Sequence, residues 1–144
     1  MASEPGPRRQ AREAALQMLY ALDCLEAPTE ADAEKAIAAY WANLDGPPAG
    51  RTYADAIVRG VASHRATIDE TLRGASTSWR LERMARVDRN LLRIGVWELT
   101  WGREAPPQVV IDEAVELART FGAEGAYAFV NGLLDKLARA ARSP

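Results

Sequence analysis

Apolar residues recur along this chain at intervals of three and four, the spacing that gathers them on one side of an α-helix. Ala11, Ala15, Met18, Leu22 and Leu25 draw such a face in a helix predicted over residues 8–25. Pro28 ends that segment, and Thr29 stands ready to cap a second helix over 30–44, with Asp32 three residues on in a capping-box pattern. Asp45-Gly46-Pro47-Pro48 closes it. A longer helix is predicted over 52–73, with Tyr53, Ile57, Val61, Ile68 and Leu72 inside and Gly74 just past its end. Ser76, Thr77 and Ser78 offer an N-cap for a short helix from Trp79. Val87, Leu91 and Ile94 mark a helix over 86–101. Pro106-Pro107 opens another, striped by Val110, Ala114, Leu117 and Phe121 and ended by Gly122. The last, over 124–141, turns Ala126, Val130, Leu133 and Leu137 inward. No sustained alternation of period two competes with this pattern. The fold class is therefore all-α: six to seven helices in a compact bundle or a pair of small packed helix bundles. Residues 1–7 read as a disordered lead and 8–144 as a single helical domain.

Composition narrows the function. The chain has 144 residues, 48% hydrophobic and 26% charged, as expected of one soluble globular domain. No apolar run approaches the roughly 20 residues that span a bilayer, and the first ten residues hold no apolar signal core. Cys24 is the one cysteine and His64 the one histidine, so an internal disulfide framework, a cysteine zinc site and a hydrolase triad are all unexpected, and a reducing cytoplasm fits. Cys24 reads as an inert, semi-buried thiol, and His64, on an apolar stripe, as a satisfied core residue. Asp112, Glu113 and Glu116 follow Pro107, where carboxylates complement a helix dipole. Nucleotide loops, metalloprotease motifs and nucleophile elbows are absent. Neither an enzyme nor a cofactor is expected.

The formal net charge of −2 argues against nucleic acid until its distribution is considered. Of the 18 basic residues, all but Lys35 and Lys136 are arginine, which pairs with phosphate bidentately and stacks on bases. Arg8, Arg9 and Arg12 cluster at a helix start, where the dipole disfavours cations, so an outside anion is a natural partner. On a helical wheel Leu16 and Tyr20 fall among these charges, off the main apolar face. Such a pair is either buried by a neighbouring helix or kept for a partner. A second series, Arg80, Arg83, Arg86, Arg89 and Arg93, reads as a solvated face where Arg86, Arg89 and Arg93 align. Asp88 falls within an apolar arc, either serving the helix start or meeting a basic partner protein.

Three blocks carry a resemblance. The first is Arg8-Arg9-Gln10-Ala11-Arg12-Glu13-Ala14-Ala15-Leu16-Gln17-Met18-Leu19-Tyr20. The second is Val87-Asp88-Arg89-Asn90-Leu91-Leu92-Arg93-Ile94-Gly95, continuing through Trp97-Glu98-Leu99. The third runs from Pro106 through Arg119, then Phe121-Gly122-Ala123-Glu124 and Phe129-Val130-Asn131-Gly132-Leu133-Leu134-Asp135. In this order and spacing they resemble the NusB family of bacterial transcription antitermination factors. The resemblance implies a fold of two small packed helix bundles. It implies binding of boxA RNA, single-stranded, in ribosomal RNA leaders, together with NusE, a small-subunit ribosomal protein. It also implies assembly with other Nus factors on RNA polymerase, and self-association as a homodimer when no partner is bound. Arg8, Arg9, Arg12 and Phe129 match RNA-binding positions; Leu16, Tyr20 and Asp88 match the NusE-facing ones. Gln10 stands where arginine is common, and Gly125 where a polar or acidic residue is common, departures expected to act on RNA affinity in opposite directions.

Two other classes fit parts of this pattern. A similar helical domain begins a family of ribosomal RNA cytosine methyltransferases, but no glycine-rich cofactor segment or catalytic cysteine motif follows here. A purely protein-binding helical scaffold is the other.

Overall fold

Local sequence sets several of the helix starts. In a computed structural model describing residues 6–44, 49–76 and 80–142, α1 spans Pro7–Asp23 and α2 Glu30–Ala42. Proline is the first residue of α1, where its missing N–H has no helical partner to lose. The helix therefore begins inside the stretch expected to be a lead; residues 1–5 lie outside the described residues. At α2 the capping box forms: Asp32 N–H donates to Thr29 Oγ1 at 3.2 Å, and Thr29 N–H donates to Asp32 Oδ2 at 2.8 Å. Thr29→Ala is expected to cost about 1 kcal/mol, read as a lower midpoint in thermal or urea unfolding.

Helix α3 spans Arg51–Ala75, and the chain divides into two compact units at its middle, residues 1–63 and 64–144. Gly74 does not end α3 as expected. It takes no left-handed conformation, and the ladder continues with Ser76 N–H donating to Leu72 O at 2.9 Å. Lys136 Nζ donates to Ala75 O at 2.9 Å, satisfying one terminal carbonyl from α6. The Asp45-Gly46-Pro47-Pro48 terminator and a helix from Trp79 fall on or beside residues outside the described ones.

In the first unit, α1 and α2 pack with the first half of α3. Ala15, Ile57 and Val58 are fully buried, and Met18, Ile37 and Val61 nearly so. In the second unit the rest of α3 is followed by a 3₁₀ turn at Leu81–Arg83 and α4 over Arg86–Trp97. Glu98–Gly102 then forms a π-helical turn, and α5 (Pro107–Phe121) and α6 (Ala126–Arg142) complete the unit. Its interior is built on Ile68, Leu72, Leu92, Val130 and Leu134, all fully buried. Gly95 of α4 lets α6 approach closely: a Cβ there would sit 2.7 Å from a methyl of Leu134. Six α-helices and no strand are found among the described residues, as the periodicity predicts.

Two stripe-end residues differ from expectation. Leu25 and Phe121 are each 47% exposed, because each lies at or past the last turn of its helix, where the covering neighbour stops. Arg93 differs more. It is 4% exposed rather than solvated, and it holds Asp69 of α3 bidentately at 2.8 and 3.1 Å while donating to Asn90 Oδ1 at 3.0 Å. A wheel drawn on α4 alone does not contain Asp69, so its polar face looked like a water face.

Candidate functional site

The candidate residues fall into two groups, one in each unit. In the first unit all five lie on α1. Arg8, in the first turn, is exposed and lays its guanidinium on the ring of Tyr53, with Cζ 3.8 Å from the centroid. Arg9 beside it is half-buried. Arg12 is 3% exposed, with Cζ 5.9 Å from the same ring. Arg12, expected among the RNA-binding arginines, is thus a buried cation beside Tyr53, one helical turn beyond Arg8. Leu16, one turn further on, is 4% exposed and packs into the interior of this unit. The same α1 leaves Tyr20, one turn on, 42% exposed. Of the two readings open for that pair, burial holds for Leu16 and exposure for Tyr20.

In the second unit Asp88 and Phe129 come together. Both line a groove of about 500 Å³, with Arg83, Met84, Ala85 and the Ala123–Ala126 turn completing the wall. Asp88 is 4% exposed. Its Oδ2 accepts from Ala123 N–H at 3.2 Å, while its Oδ1 is buried with no hydrogen-bond partner. Burial pushes the Asp88 carboxyl above its ordinary range, and the Ala123 N–H only partly offsets that. Gly122 makes the arrangement possible, because a Cβ there would collide with Asp88 Oδ1 and with Ala118 O. Phe129 is half-buried at the rim, while its neighbour Val130 is fully buried.

Gly125, the departure noted in sequence, has φ +78° with no atom within 4 Å of a would-be Cβ. Backbone conformation therefore gives glycine a place here, independent of charge. Gln10 is half-buried on α1.

Sequence reasoning missed the supports. Tyr53 reads only as core, and nothing local shows that it carries Arg8, which lies far away along the chain. Met84 and Ala85 of the groove precede α4 and carry no motif of their own. Arg119 and Tyr127, exposed and stacked with Cζ 4.3 Å from the ring centroid, flank the Gly122 turn and were legible only as separate residues. His64 is not a core residue but half-buried, stacked on Trp101 with centroids 4.0 Å apart. Cys24 is exposed. No group of residues suited to a metal ion occurs among the described residues, and none of their helices is long and apolar enough to cross a membrane.

Comparison with known proteins agrees with the three sequence blocks. The NusB family model matches residues 9–139. A transcription antitermination protein NusB from Sorangium cellulosum is 53% identical over 133 residues, 92% of each chain. A solved NusB from T. maritima is 30% identical, with a TM-score of 0.77, covering 96% of this chain and 93% of its own. A solved complex of the antitermination factors NusB and NusE with dsRNA contains a chain 27% identical to this one, with a TM-score of 0.76, covering 93% of this chain and 97% of that one. NusB antitermination proteins are a non-enzymatic family. This chain belongs to the NusB family of transcription antitermination proteins.

Proposed function

We propose that this chain binds boxA-type single-stranded RNA through the exposed start of α1 and pairs with a NusE protein through Tyr20 and Asp88. In this reading it joins other Nus factors on RNA polymerase in the cytoplasm so that transcription passes terminators. The observation that carries it is Arg8, exposed with its Cζ 3.8 Å from the centroid of the Tyr53 ring, with Arg9 beside it. A guanidinium resting on a ring has its face occupied and its N–H groups directed sideways, where phosphate oxygens take them. The related complex of NusB and NusE with dsRNA supports the pairing of these two ligand classes. Phe129 at the groove rim offers a ring on which an unpaired base stacks.

Asp88 supports the partner half. A buried carboxylate oxygen without a donor is costly, and a lysine or arginine from NusE entering the groove satisfies it. In the absence of NusE, a second copy of the chain occupies the same surface, giving a homodimer.

The RNA half is tested by Arg9→Ala. Affinity for a boxA oligonucleotide is expected to fall several-fold, and the slope of log affinity against log salt to flatten by about 0.7 for the lost phosphate contact. Thermal unfolding should change little. Equal affinity and equal slope would refute the assignment. A duplex of the same sequence run in parallel separates recognition of unpaired bases from recognition of phosphates alone.

A further inference from the structure

The arginine surface of α1 does not stop at α1. Gly50, with φ +81°, brings the start of α3 directly against the start of α1: a Cβ at Gly50 would collide with Pro7 O and sit 3.0 Å from Ala11 Cβ. The next residues along the two helices are Arg8 and Arg51, both exposed. Arg51 repeats the arrangement of Arg8 on a different ring, with its Cζ 5.2 Å from the centroid of Trp41. That ring is held in place. Trp41 is buried, its Nε1–H donates to Asp55 Oδ1 at 2.7 Å, and Tyr40 packs edge-on at 4.8 Å.

We propose that Arg51 is a further RNA-phosphate contact, extending the α1 surface onto the start of α3. The inference rests on the RNA-binding reading above and adds a residue outside the N-terminal run. Two guanidiniums over two aromatic supports, at helix starts that meet at Pro7 and Gly50, form a row of cations suited to successive phosphates of one strand. Stacking also restricts the long arginine arms beforehand, so less freedom is lost when an anion binds. The nearest acid on the same helix face, Asp55, already accepts from Trp41, and on α2 Glu34 is held by Arg59 at 2.8 Å and Asp32 by Thr29. Of these acids only Glu34 is met by a cation; Asp55 and Asp32 keep their charge, and at the two helix starts Arg8, Arg9 and Arg51 outnumber Asp55 and Glu13. A protein partner would not need the row, whereas a strand already held at Arg8 and Arg9 passes within reach of it.

The test is RNA binding by the full chain with its NusE partner, using a boxA single-stranded oligonucleotide at several salt concentrations. Arg51→Ala and Arg51→Gln are expected to weaken binding about three- to tenfold and to flatten the salt slope by about 0.7. Arg51→Lys should keep most of the slope, because the charge remains. Folding should be unaffected, since a cation in the first turn of a helix gains nothing from the helix dipole. If wild-type chain binds and Arg9→Ala weakens it, but both neutral Arg51 variants bind like wild type, this inference fails and the RNA reading stands. If wild-type chain binds no RNA, the RNA reading fails and takes this inference with it. Weaker pairing of the Arg51 variants with NusE in the absence of RNA would assign the residue to a protein interface and overturn the proposal.

Discussion

Asp69→Ala is expected to lower stability by about 3–5 kcal/mol. The cause is what remains. Arg93 is 4% exposed, and without Asp69 its buried guanidinium loses the carboxylate that it holds bidentately. Urea unfolding measures the change as a shift of midpoint at constant slope. The double variant Asp69→Leu with Arg93→Met should recover much of the loss, because it removes the buried charge together with its counterion. Near-normal stability for Asp69→Ala alone would show that water reaches the site.

The largest effect on pairing is expected at Asp88. Asp88→Asn should weaken association with NusE by more than tenfold, since truncating one side of a buried charge pair commonly costs about 2–5 kcal/mol. The same variant should melt higher than wild type near neutral pH. The raised carboxyl of Asp88 means that the folded chain binds a proton more readily than the unfolded chain. Ionised Asp88 therefore detracts from stability above the raised value. That penalty fades as pH falls through the window between the raised value and the ordinary carboxylate value, and below both it is gone. The difference in stability between Asp88→Asn and wild type should accordingly shrink on acidification. Titration calorimetry with NusE and paired melting curves across pH check both halves. A lower melting temperature with unchanged pairing would place Asp88 in structure alone.

Much of the architecture was legible because it is local. Helix periods, the Thr29–Asp32 box, and proline at the start of α5 all operate within a few residues, and each appears where the pattern placed it, whereas Pro7, read as the end of a lead, begins α1. Errors arose where a distant element decides the outcome. Arg93 reads as solvated because Asp69 is 24 residues away, and a single-helix wheel does not contain the neighbours that bury Leu16. Gly74 looked like a stop because glycine permits a left-handed turn without requiring one. The candidate site divides in the same way. The arginines at the start of α1 were visible as a cluster, but Tyr53 and Trp41 beneath Arg8 and Arg51 become supports only once α3 folds back. Asp88 stood out by its position in an apolar arc; its orphaned oxygen and the glycine that accommodates it belong to the tertiary structure.

The net charge of −2 is an average over unlike surfaces. Arginine at the starts of α1 and α3 faces outward on aromatic supports, while acids such as Glu34 on α2 are paired with cations of their own unit. Total charge therefore says little about binding, and the placement of the arginines decides it. The most direct test is a gel-shift titration of the wild-type chain with boxA single-stranded RNA, with and without NusE. The expected result is weak, salt-sensitive binding by the chain alone and markedly tighter binding with NusE present. No shift in either condition, at low salt and with a folded protein, would contradict the assignment of RNA binding to this chain.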